Sequence, residues 1–486
     1  MAAAITLSIN DDILREVAFS SPPDTCARLM LTCRYLYHEA AKSTLQHEVY
    51  LGCDAQIDKF LRFLVAEDHT RFRYVRSLRL HLNLLSSDLV QKLFDNIAHM
   101  TRLTSLEMSD GELALETYPY IGDAVKRITS LQHLGSCTAG WLVIAILNDL
   151  NCDLTSINLD WGAVVDESFR DNRMKRETLL QYHPVPFLSK WTHSLSELRC
   201  SGGRTLNIPG DPECTAVYPK MRKLTITCDN FPDPLPYIRA YPNLTHLSAV
   251  FGGFAHVESA HHRKRNLQRQ LDPRGTGTWR HIEQYTGHLG SLYQLGLTCA
   301  IDRVRIDDPL LAESDFELLS EIIFHAKARH LKIACDGTLL LDQHTGLSAT
   351  LLGYGASRLE SLVVTILPRD KDMDIGSALD TLACALAILP VRRLRLLVEG
   401  VLLDPTRPYI GVPPAPASPP PYNFAERSLS KFDLEGFMWM LAETLPLLTD
   451  AIVRIHGPRE HRQERKIEPS GGSYLASGLD RSLFEF

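Results

Sequence analysis

The chain has 486 residues, 45% apolar and 22% charged, with a formal net charge of -7 at pH 7. That composition is ordinary for a globular protein and excludes wholesale disorder. The negative balance argues against a general nucleic-acid binder, and the length suits roughly two to four domains or one long repeat array.

The first residues, "MAAAITLSINDDILR", lack a basic region, and Asp11 and Asp12 cut the apolar run short. The longest apolar runs, "WLVIAIL" and "LACALAIL", are far below the ~20 residues of a membrane span. The expectation is a cytoplasmic or nuclear protein with no membrane partner. Eleven cysteines, with no C-x-x-C and no paired Cys/His cluster, point to free thiols in a reducing compartment and to no metal.

Residues 1–50 predict a small helical domain. Asn10 or Asp11 caps a first helix, and Ile13, Leu14 and Val17 give it an apolar side. Ser20 to Pro23 break it. Asp24 then caps a second helix that carries "LTCRYLYHEA". Cys26, Leu29, Cys33, Leu36 and Ala40 form one stripe on that helix, and Leu31 and Tyr35 a second. Two stripes imply burial on two sides, against the chain itself and against a partner or a neighbouring repeat.

Residues 51–457 are expected to form one repeat domain, and from residue 75 onward one pattern recurs in it: apolar, two others, apolar, one other, apolar. It reads "VRSLRL", "LTSLEM", "LQHLGS", "LTSINL", "LSELRC", "MRKLTI", "LTHLSA", "LYQLGL", "ARHLKI", "LESLVV", "VRRLRL", "LSKFDL" and "DAIVRI". The central residues run from Leu78 to Val453, a mean spacing of about 31 residues, which marks a repeat array. The fourth and sixth positions lie two apart, so on a strand they share one buried face. Predicted core positions are Leu78, Leu106, Ile157, Leu224, Leu247, Leu295, Leu331, Leu362 and Leu394. Cys228, Cys299 and Cys335 fall at one inward phase and read as small buried hydrophobes. Helical stripes lie between: Leu89, Leu93, Ile97 and Met100 behind Ser86 or Ser87; Leu379, Leu382, Leu386 and Leu389; Phe437, Leu441 and Leu445.

By these residues the chain resembles the leucine-rich-repeat family. The implied fold is α/β, a solenoid of parallel strands backed by helices; a conventional parallel sheet is the alternative. The family's Asn ladder position is held by Asn83 in the first copy and by Gly111, Gly162, Gly203 and Gly252 in others. Segments 162–194, 252–291 and 404–423 read as insertions, the last proline-rich, and 458–486 as a polar tail.

Residues 5–48 resemble an F-box, through Leu7, Ile9, "DDIL", Val17 and the Cys33, Arg34, Leu36, Tyr37 run. The family's usual proline is replaced, with Ser8 and Ile9 in its place. The resemblance implies a substrate receptor of a Skp–cullin–F-box ubiquitin ligase. It places a Skp-type adaptor against Leu7, Ile9, Ile13, Leu14, Val17, Leu31, Arg34 and Tyr35. The alternative is a leucine-rich-repeat scaffold with no ubiquitin role.

No P-loop, H-E-x-x-H or G-x-S-x-G motif occurs. Asp370, Asp372 and Asp374 read as a solvated loop; His261 and His262 lack a second ligand pair. Arg263, Lys264 and Arg265 read as a solvated insertion. The expectation is a non-enzyme with no cofactor. Its target site is the outward strand face, where Lys332, Arg393, Arg395, Lys431 and Arg454 form a basic patch, with His330 and His456 beside it. Such a patch suits an acidic or phosphorylated protein segment.

Overall fold

The computed structural model describes residues 10–67, 69–82, 85–161, 183–202, 215–228, 233–252, 256–272, 277–341, 346–400, 422–456, 462–467 and 473–474. It divides into one unit of Met1–Cys228 with Ala240–Pro242, and another of Asp229–Arg239 with Asn243–Phe486.

The first unit opens with three helices, α1 (Asp11–Ser20), α2 (Pro23–Leu29) and α3 (Arg34–Gln46). The Asn10 side chain caps α1 by accepting the Asp12 N–H. Pro22 and Pro23 start α2, so Asp24 lies in its first turn rather than at its cap. The stretch "LTCRYLYHEA" is not one helix. Thr32 turns its hydroxyl onto the Leu29 carbonyl at 2.7 Å, and Cys33 is extended. The long stripe is therefore broken at Cys33, which is exposed, while Cys26, Leu36 and Ala40 still meet around Ala18. A further helix, α4 (Asp54–Val65), buries Ile57, Phe60, Leu61 and Leu64 on one face.

Strands β1 to β7 of this unit are Glu48–Leu51, Ser77–Leu80, Ser105–Met108, His133–Ser136, Ser156–Asp160, Glu197–Ser201 and Lys223–Cys228. They pair in parallel, in chain order. Leu78, Leu106, Leu134, Ile157, Leu198 and Leu224 stand in one register row and are all buried. β1 pairs with β2, so the sheet begins before residue 51.

The same backbone device starts strand after strand. The Arg76 carbonyl accepts the N–H groups of both Thr104 and Ser105, and the Thr104 carbonyl those of Gln132 and His133. Gln132, Thr155 and Ser196 repeat it. A shared carbonyl at each strand start satisfies the polar backbone that a turn would otherwise leave unpaired.

The second unit has parallel strands β8 to β14, His246–Phe251, His281–Gly287, Ala300–Leu310, His330–Asp336, Ser361–Leu367, Arg393–Glu399 and Asp450–His456. Leu247, Tyr285, Val304, Leu331, Leu362, Leu394 and Ala451 form its core row. Each described unit is thus α/β with a solenoid-like repeat. Two short antiparallel strands, β15 (Arg462–Ile467) and β16 (Ser473–Tyr474), extend the sheet into the segment expected to be a tail.

Four expectations need correction. Leu295 lies in a helix, Leu289–Leu295, not on a strand. "LSKFDL" belongs to the helix Phe424–Lys431 and its end, which takes Lys431 off the sheet. Segment 252–291 holds a helix, His256–Leu271, and strand β9. Its "HHRKRNLQRQ" stretch is a capping face rather than a solvated loop. Arg263 donates to the Tyr293 carbonyl at 3.0 Å, Asn266 to Gln294 at 2.8 Å, and Gln270 to Leu295 and Gly296. These are the last carbonyls of the neighbouring helix, which no intrahelical donor can reach. Most of segments 162–194 and 404–423, with Asn83, Gly162 and Gly203, lies outside the described residues.

Candidate functional site

Two surfaces of different character carry the residues singled out from sequence. The first is on the three-helix unit. Leu7 and Ile9 lie outside the described residues. Leu14 turns inward against Ala18, Cys26, Leu36 and Ala40. Ile13 and Val17, four apart on α1, face outward, 57% and 45% exposed. Leu31 in the α2–α3 turn is 87% exposed, Arg34 is exposed and Tyr35 half-buried. Phe19, which the sequence reading did not select, is 60% exposed. The i, i+4 rule already separates Leu14 and Ala18 from Ile13 and Val17; only the core contact says which pair faces in.

The second surface is the outward strand face of the second unit. One register row is Arg303, His330, Ser361, Arg393 and Asp450; the next is Arg305, Lys332, Val363, Arg395 and Ile452. The sequence reading missed Arg303 and Arg305 because it missed β10. Arg303 and Arg393 are exposed. Arg305 pairs with Asp307 at 2.7 Å, and Arg395 with Asp450. Arg454 is nearly fully buried. Burial, then the charge of Arg303, holds His330 below its ordinary value, so its imidazole is neutral at pH 7. The patch is therefore narrower than charge counting suggests. Nor is this face open throughout: Val363 and Ile452 are buried, packed together with Leu397 beside them.

On the corresponding face of the first unit, Glu107 receives Arg79 at 3.5 Å and His133 at 3.2 Å. Its charges are paired internally rather than offered outward.

Among the described residues, no group of three or more His, Cys, Asp or Glu converges as a metal site would require. Asp374 caps the helix Ile375–Leu386, accepting the Gly376 N–H and the Ser377 hydroxyl. The buried thiols are poor nucleophiles, since burial pushes Cys200 and Cys335 up to about 12. No described helix is long and apolar enough to cross a membrane. No family model and no curated protein matches the chain.

Proposed function

We propose that the chain is the target-recognition subunit of a Skp–cullin–F-box ubiquitin ligase. Its N-terminal helices dock on a Skp-type adaptor, within a cullin complex. Its second unit holds a protein target with an acidic or phosphorylated segment on the strand face around Arg303, Arg393 and Lys332. No bond chemistry falls to the chain itself; it raises the local concentration of the target beside a ubiquitin-charged enzyme.

The observation that supports this reading is the outward apolar set on a unit too small to bury it. Ile13, Val17, Phe19 and Leu31 are exposed, while the cluster between the three helices is Ala18, Cys26, Leu36 and Ala40 with Leu14, Leu29 and Met30 packed against it. Large apolar side chains held in water on a short helical unit suit a protein partner. The F-box resemblance over residues 5–48 names the partner. The test is reconstitution of the full chain with a purified Skp-type adaptor: a stoichiometric complex is expected, and its absence at micromolar concentrations overturns the assignment.

A further inference from the structure

A basic pocket lies between α3 and the short 3-10 turn Thr70–Tyr74 in the first unit. Its volume is about 690 Å³, within the range of small-molecule sites. Arg34, Tyr37, His38, Ala41 and Lys42 supply one wall, at the spacing of a single helix face. Glu67, Arg71, Arg73 and Tyr74 supply the other. Four permanent cations thus meet one carboxylate.

Arg71 is the unusual member. Its side chain is 2% exposed, held between the rings of Tyr37 and Phe63 at 4.7 and 4.3 Å. Nη1 donates to the Phe63 carbonyl at 3.1 Å. Nε and Nη2, the side-on fork of the guanidinium, make no hydrogen bond to any described residue. The nearest acceptor is the Glu67 carboxylate, 3.4 Å from Nη2, which also meets His38 at 3.1 Å. A buried charge normally takes its full set of hydrogen bonds, because leaving donors unmade inside the protein is costly. Glu67 is itself held at φ 63, in the left-handed region that non-glycine residues rarely adopt.

We propose that this pocket binds the phosphate group of a small phosphate ester, which displaces Glu67 from the Arg71 fork. The fork matches two oxygens of a tetrahedral oxyanion. A phosphomonoester carries close to two negative charges at pH 7, against one for Glu67. Arg34, Lys42 and Arg73 ring the opening and favour the dianion. Lys42 is shared with Glu39 at 2.5 Å, so Arg73 and Arg34 are the cations the ligand engages first. The site shares Arg34 with the expected adaptor contact, but the pocket itself is built within the chain and its ligand needs no adaptor.

The experiment is calorimetric titration of the full chain with inorganic phosphate and with pyrophosphate, at fixed ionic strength with chloride as control. Saturable one-to-one binding is expected, tighter for pyrophosphate. Arg73→Ala, at an exposed position, should weaken it at least tenfold, and Arg71→Lys should abolish it. Glu67→Gln removes the competing carboxylate and should tighten it. Should Arg71→Lys fail to fold, Arg73→Ala and Glu67→Gln still decide the matter. No saturable binding, or binding that neither of those two variants moves, means an adventitious ion only and overturns the proposal.

Discussion

The Arg395 guanidinium is paired with the Asp450 carboxylate across β13 and β14, with both side chains about four-fifths buried. A residue that charge patterning offers as a free anion clamp is thus engaged within the sheet. Reversing Arg395 would set two carboxylates side by side and perturb the fold before it tested recognition. A double-mutant cycle of Arg395→Ala and Asp450→Ala should give a coupling of about 1–3 kcal/mol, as for other contacting groups in one network. Urea denaturation of the four proteins measures it. Zero coupling would return Arg395 to the pool of available cations. Recognition itself is better probed at Arg303→Glu with Arg393→Glu, both exposed, which should abolish target capture while leaving adaptor binding and the urea midpoint unchanged.

The N-terminal helices allow a sharper test. Ile13→Asp and Val17→Asp place charges on the outward side of α1, where a desolvated partner contact would not tolerate them. Adaptor binding should fall at least a hundredfold with the far-ultraviolet spectrum unchanged. Leu14→Asp should behave differently, because Leu14 packs on Ala18 and Cys26; it should loosen the three-helix unit and make it sensitive to protease. Retained adaptor binding by the Ile13 and Val17 variants would remove the F-box interpretation.

The repeat was legible where side-chain period and pairing agree. Leu78, Leu106, Ile157, Leu224, Leu247, Leu331, Leu362 and Leu394 all lie on parallel strands and are buried. It failed where the apolar, two others, apolar spacing also fits a helix face. "LYQLGL" ends a helix, and the strand follows nine residues later as "IDRVRI" at Ile301, with the same phase. β9 hid for a second reason. Its sequence "IEQYTG" puts Gly287 at the last apolar position, at φ 147, where a Cβ would stand 2.1 Å from the Ala249 carbonyl oxygen. Only glycine fits there, so the hydrophobic signal is absent at that point. The candidate surfaces were half legible. Charge and apolar type show in the sequence; pairings such as Arg395 with Asp450, separated by 55 residues, do not.

The thiols should divide into two reactivity classes. Cys33, Cys53, Cys137 and Cys384 are exposed, whereas Cys26, Cys152, Cys200, Cys228, Cys299 and Cys335 are buried. Burial pushes Cys152 and Cys299 up to about 11 and Cys200 and Cys335 up to about 12. Attack requires the thiolate, so the second class should react at pH 8 only as fast as the chain opens. Timed alkylation with mass-spectrometric readout should label the exposed four first, Cys137 the slowest of them because partial burial raises its thiol, and the buried six only after urea. Rapid native labelling of Cys200 would contradict the packing, in which Trp161 Nε1 lies 3.0 Å from its sulfur.

The last prediction concerns Asp308 in β10, whose carboxylate oxygen accepts the Leu289 N–H at 2.9 Å, at the start of the preceding helix Leu289–Leu295. Burial raises its carboxyl above the ordinary value, and the backbone hydrogen bonds only partly offset this. The folded chain therefore holds this proton more tightly than the unfolded chain. The stabilising contribution is complete below the unfolded value, about 3.9. It disappears as pH rises through the higher folded value, because over that window the folded state binds more protons. Asn cannot ionise, yet its carbonyl oxygen can still accept the Leu289 N–H. Asp308→Asn should thus gain stability relative to the parent as pH rises from about 4 to 7, with most of the change just above the unfolded value. Urea midpoints of the two proteins at matched ionic strength across that range measure the difference. A difference that stays flat with pH would mean that Asp308 titrates alike in both states and that the β10 site is more hydrated than its burial indicates.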